Sequence, residues 1–159
     1  MTDDPPASAA EVLEKDHRRL DDLFGRFLAS PDRESASRAI GDFDAAMRTH
    51  TRLEEERVFP AAPEGKLVAR TGESEHDRLF RELRLEHVQI RELSGMIVRQ
   101  LGETGDAGAA RGLAASLARR WDAHTEREER EGYAAALALL DADRTVALEA
   151  ELERAMRAR

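Results

Sequence analysis

The stretch 50-HTRLEE-55 returns almost unchanged as 124-HTEREE-129, and each copy sits at the end of an apolar helical stripe. In the first, Ile40, Phe43 and Met47 recur at helical spacing and run on into His50 and Glu54; in the second, Leu113, Leu117 and Trp121 run on into His124 and Glu128. Residues four apart stack on one face of a helix, so each copy sets an imidazole against a carboxylate on the face its apolar residues turn inward. A single pair of this kind is ordinarily a solvated contact worth about 0.2–0.5 kcal/mol. Two copies that both continue an apolar stripe point to a shared interior.

Each copy is preceded by another helix with a histidine on its own stripe. Ser8-Ala9-Ala10-Glu11 has the form of a capping box, and the helix it opens can run to about Ala29, before Ser30-Pro31, with Leu13, Leu20, Phe24 and Phe27 flanking His17. The second helix starts near Asp32 or Ser35 and ends near Val58, because Pro60, Pro63 and Gly65 follow. After a connector, KLVARTG, with room for one extra turn, a third helix runs from near Ser74 to Leu101, ended by Gly102 and Gly105; Phe80, Leu83, Ile90 and Ile97 flank His87. The fourth helix opens at Asp106. A last amphipathic segment from about Asp143, with Val146, Leu148 and Leu152, can pack across the others or join two copies as a homodimer.

Alanine, leucine, arginine and glutamate dominate, and no segment alternates β-branched residues with period two, so the chain is predicted to be all-α. The order His17, His50-x-x-x-Glu54, His87, His124-x-x-x-Glu128 makes it a doubled αα-hairpin. Short connections then predict an up-down-up-down four-helix bundle with an additional short C-terminal helix, as a single domain over 1–159.

Composition narrows the function. With no cysteine, thiolate zinc sites, cysteine-ligated clusters and disulfides are excluded, and the chain suits a reducing cytoplasm. A formal charge of -8 argues against nucleic acid and anionic membrane surfaces as partners. The opening MTDDPPASAA reads as a flexible lead rather than a signal peptide, and no run approaches the roughly 20 apolar residues of a membrane span. The expected location is cytoplasmic.

Four histidines and two glutamates are thus predicted to meet in mid-bundle. Burying two carboxylates is costly unless cations offset them, and this donor set suits iron, manganese or zinc. It is too large for one tetrahedral zinc, but suits two metals that each take two histidines and share both glutamates, with a bridging oxygen and open positions left for a small ligand.

This order of residues resembles the hemerythrin-like, HHE cation-binding family, from about Glu11 to Tyr133; Pro60, in Val58-Phe59-Pro60, also fits. The resemblance implies a non-haem centre of two iron ions, carboxylate- and oxo-bridged, with His17, His50, Glu54, His87, His124 and Glu128 as ligands. It implies a protein that binds or senses a small diatomic or peroxide ligand (oxygen, nitric oxide or peroxide). The alternative is an enzyme, either peroxide-decomposing or an iron donor for iron–sulfur cluster repair. Oxygen-carrying hemerythrins place a further histidine one turn before the third-helix ligand, where this chain has Leu83, and end on an aspartate five residues after the last histidine, where it has Glu128 at four. Leu83 in that place implies two nearly equivalent metals.

Other candidates read differently. His76 shares the third-helix stripe but lies about 16 Å along the axis from His87, and is expected at the bundle end or surface. Asp16, Glu55, Glu86 and Glu129 adjoin the ligand positions but point about 100° away around their helices, so they should support the ligands or face solvent; Glu86 could line an entry path. Trp121, Phe43, Met47 and Leu83 should wall the cavity. A ferritin-like site would need Glu-x-x-His on two helices, and Glu14-x-x-His17 alone fits.

Overall fold

A computed structural model describes residues 8–61, 72–104 and 107–157, and among the described residues there are helices and turns but no strand. Its first three long helices begin where the sequence supplies a cap. Helix α1 (Ala9–Leu28) opens on the full capping box: Glu11 N–H donates to Ser8 Oγ at 3.3 Å, and Ser8 N–H donates back to Glu11 Oε2 at 2.8 Å. Helix α2 (Arg33–Leu53) is capped by Asp32, whose Oδ1 accepts from Ser35 N–H at 2.8 Å, and α3 (Glu75–Arg99) by Ser74, whose Oγ accepts from Asp77 N–H at 3.0 Å. Helix α4 (Ala107–Arg127) follows. Residues 66–71 of the KLVARTG connector, together with Pro63, Gly65, Gly105, Asp106 and the first seven residues, lie outside the described residues.

Two of these helices pass into π-helical turns at the repeated phrase. Glu54–Val58 continues α2, and Glu128–Gly132 continues α4. Helix α4 was expected to carry its pattern as far as Glu128; the chain instead stays helical beyond the second π-turn through α5 (Tyr133–Leu137). A third π-turn, Gln100–Thr104, closes α3. Helix α6 (Ala142–Arg157) completes the described chain.

The first four helices pack as a bundle: α1 lies on α2, α2 on α3 and α3 on α4. Helix α6 packs against α1, burying Leu148 and Leu152 but leaving Val146 exposed, so its inward face is narrower than the stripe read from the sequence. The apolar core divides in two. One cluster gathers Leu20, Phe24, Phe27, Ile40, Phe43, Met47, Ile90, Ile97, Leu117 and Trp121. The other gathers Leu13, Phe59, Phe80, Leu83, Tyr133, Leu148 and Leu152 with smaller neighbours. Between them lies a buried polar layer.

Candidate metal centre

Every ligand candidate read from the sequence falls in that layer. His17, His50, His87 and His124 are at most 2% exposed, and Glu54 and Glu128 are fully buried. The fifth histidine, His76, is exposed, as expected for a residue off the site. Each stripe delivers its histidine at the level where the two apolar clusters meet, and the i,i+4 spacing brings His50 Nε2 to 3.2 Å from Glu54 Oε2 and His124 Nε2 to 3.1 Å from Glu128 Oε1.

The remaining contacts cross between helices. His17 Nε2 lies 3.0 Å from His50 Nε2 and 3.3 Å from Glu128 Oε2. His87 Nε2 lies 3.2 Å from Glu128 Oε1 and 3.3 Å from Glu54 Oε2. Glu128 therefore presents one oxygen to each half of the site, while Glu54 presents Oε2 to both His50 and His87. Two overlapping groups of donors could each hold an ion: His17, His50, Glu54 and Glu128, and His87, His124 and Glu128.

All four imidazoles are anchored from behind. Nδ1 of His17 meets Glu129 at 2.8 Å, that of His50 meets Asp16 at 2.9 Å, that of His87 meets Glu55 at 2.9 Å and that of His124 meets Glu86 at 2.8 Å. A carboxylate can only accept when ionised, so Nδ1 carries the proton and, in the neutral tautomer, Nε2 keeps its lone pair toward the centre. These are the four acids expected to support the ligands or face solvent. They support, and each holds a histidine of another helix: Asp16 and Glu86 pass over His17 and His87 beside them. Three are held in turn by arginine: Arg19 reaches Asp16 at 3.3 Å, Arg91 reaches Glu55 at 3.0 Å and Arg127 reaches Glu86 at 2.8 Å. Such outer partners fix ring orientation and raise the basicity of a metal ligand.

Electrostatics follow from the burial of two carboxylates among four imidazoles. Burial alone would depress His50, but Glu54 and Asp16 hold it up at about 10. Burial likewise opposes, and the carboxylates overcome, a rise in His87 and His124, led by Glu128 in both. Burial and the Glu128 charge would raise Glu54, yet His50 and His87 bring it down to about 2; Glu128 is likewise drawn well below the usual range, against burial, by His124, His17 and His87. Even so the layer is not satisfied within itself. Glu54 Oε2, Glu128 Oε2 and His124 Nε2 are buried with no hydrogen bond of acceptable geometry, despite the short distances above. Unpaired donor atoms of the right type, converging from both halves, fit a metal: a cation satisfies all of them at once.

Aromatic rings close the layer above and below. Trp121 stands edge-on to His17 and His50 and donates its indole N–H to Asp21 Oδ1 at 2.7 Å; Phe43 packs against it. With Met47 and Leu83, both fully buried, these are the wall residues expected from the sequence. On the other side Phe59 stacks on His87 and Tyr133 stacks on His17. Tyr133 went unmarked in the sequence as a site residue, yet its hydroxyl donates to Glu54 Oε1 at 2.7 Å and lies 3.0 Å from His17 Nε2. Burial, Glu54 and Glu128 push this phenol well above its usual range. The signal was available in the repeat: Phe59 and Tyr133 each stand five residues after the glutamate of HTRLEE or HTEREE.

A surface cavity between α1 and α6, lined by Val12, Lys15, Arg19 and Met156, reaches Asp16, the residue that holds His50. No helix among the described residues is long and apolar enough to cross a membrane. The hemerythrin HHE cation binding domain family matches residues 8–136, and the chain belongs to that family. Neither the curated proteins nor the solved structures yield a match.

Proposed function

We propose that this member of the hemerythrin HHE family is a non-haem di-iron protein that binds or senses oxygen, nitric oxide or peroxide in the buried His/Glu layer. Metal binding goes with the family; the assignment of His17, His50, Glu54, His87, His124 and Glu128 as the ligands rests on one observation above the others. Four imidazoles with outward-tied Nδ1 atoms surround two fully buried carboxylates, whose Oε2 atoms find no hydrogen bond within the protein. Two iron ions held there would supply redox-active, coordinatively open positions for a small ligand.

The chain's own residues do the rest. Asp16, Glu55, Glu86 and Glu129 hold each ring so that Nε2 faces inward, and Glu128 can span both halves with its two oxygens. Trp121, Phe43, Met47 and Leu83 keep bulk water away, which strengthens every charge interaction inside. The direct test is substitution. Iron content of His50→Ala and Glu54→Ala should fall well below that of the unsubstituted protein, and unchanged iron in both would overturn the ligand assignment.

A second reading, an enzyme that decomposes peroxide or donates iron for cluster repair, is favoured by Leu83, which stands where oxygen-carrying hemerythrins place a further histidine. Catalytic consumption of peroxide by iron-loaded protein supports that reading; a stable stoichiometric adduct supports binding or sensing. In either case we take the chain as one domain of up-down-up-down course, consistent with its neighbouring helices pairing in order, and as cytoplasmic with no nucleic-acid partner. A homodimer through the C-terminal region would use Leu139 and Val146, since Leu148 and Leu152 are covered within the chain.

A further inference from the structure

The two halves of the site are related residue by residue. Asp16 and Glu86, His17 and His87, His50 and His124, Glu54 and Glu128, Glu55 and Glu129 occupy matching places in the repeat, and they make matching contacts: Asp16 holds the histidine of the following helix, as Glu86 does, and Glu55 and Glu129 each hold the histidine of a preceding or following hairpin helix. Phe59 and Tyr133 extend the series. Each follows a π-turn and donates its backbone N–H to the carbonyl of the site glutamate five residues before it. Both rings are buried and lie 5.8 Å from a site imidazole, Phe59 at 10° to His87 and Tyr133 at 26° to His17. Two equivalent rings thus differ by one hydroxyl.

Resting on the di-iron reading above, we propose that this hydroxyl makes the two metal positions unequal, with Tyr133 acting as a hydrogen-bond donor that positions Glu54. It donates to Glu54 Oε1, which leaves Oε2, the oxygen between His50 and His87, as the atom free to face metal. Glu128 has no such partner: its Oε1 and Oε2 face opposite halves. One glutamate is therefore held by a hydroxyl through Oε1 and the other is not. The hydroxyl also stands beside His17 Nε2, which gives the His17/His50 half a polar group that the His87/His124 half lacks, where Phe59 presents only carbon. A buried hydroxyl is costly unless it is hydrogen-bonded, and this one gains its bond at the metal centre. Tyr133 is a positioning residue in this account, since it acts through Glu54.

Iron content and the Mössbauer spectrum of the iron-loaded full chain test this together, in the unsubstituted protein, in Tyr133→Phe and in the exchange variant Phe59→Tyr/Tyr133→Phe. The expected result is full iron in all three, two distinct quadrupole doublets in the unsubstituted protein, merger toward one in Tyr133→Phe, and two again in the exchange variant. A single doublet in the unsubstituted protein, or two unchanged doublets in Tyr133→Phe, with iron content intact, would overturn the inference while leaving the metal centre standing. A visible phenolate-to-iron absorption lost in Tyr133→Phe would overturn it as well, because Tyr133 would then be a ligand rather than a donor. Failure of the unsubstituted protein to hold iron would remove the di-iron reading and this inference with it.

Discussion

His50 shows how much of the site's behaviour is set around one side chain. Its Nδ1 is tied to Asp16 and its Nε2 faces Glu54, so that without metal it is held protonated up to about 10 against an unfolded value near 6.5. A raised histidine contributes stability that is fully present below the unfolded value and is lost as pH rises through the folded one. Glu54, lowered to about 2 from 4.5, contributes stability that is present above 4.5 and lost as pH falls through 2. Metal-free protein should thus be most stable between 4.5 and 6.5 and melt at progressively lower temperature toward pH 10. Metal removes the dependence on the alkaline side, because ligation needs the imidazoles deprotonated. Thermal melts of chelator-treated and iron-loaded protein across that range check this, and parallel curves would count against the assignment. That His17, His50, Glu54, His87, His124 and Glu128 would meet in one buried layer was legible in the sequence, because HTRLEE and HTEREE repeat within apolar stripes. Which acid holds which histidine was not, since Asp16 serves His50 and Glu129 serves His17 across helix contacts that no local spacing records.

Among the elements, the π-turns decide what reaches the site. A π-turn inserts one residue into the helical ladder, a feature frequent at functional sites. Here it ties Phe59 N–H to the Glu54 carbonyl at 2.8 Å and Tyr133 N–H to the Glu128 carbonyl, which sets both rings over the imidazoles. Gly132 belongs to the same arrangement, for a Cβ there would come within 3.1 Å of Leu83 Cδ1. Periodicity arguments presume 3.6 residues per turn, so a local widening leaves no mark in an apolar stripe: the first π-turn was read as plain helix, and the second begins where the sequence reading of the fourth helix stopped, at Glu128. The caps were legible: Ser8, Asp32 and Ser74 stand where their residue types require. Helix α6 was the least determined element, with a stripe that suited either packing on the bundle or self-association. Leu152 is fully buried in the second apolar cluster. Leu152→Ala should therefore destabilise the protein by about 2–5 kcal/mol in chemical denaturation, whereas a loss below about 0.5 kcal/mol, typical of a surface site, would show that α6 does not dock as described.

For the molecule as a whole, the organising fact is a polar layer held between two apolar clusters. Neither cluster crosses it, because the stripes of α1 to α4 each give way to a histidine at the same level. Four anchored imidazoles and two buried carboxylates are a poor way to fill a core and a good way to hold cations, since unpaired buried charge is among the most destabilising features a fold can carry. The claim that this layer holds two metal ions is tested most directly by elemental analysis of the 159-residue chain after anaerobic loading with ferrous iron and removal of excess metal. The account predicts two iron ions per chain; a protein that retains none, or no more than one, would contradict it.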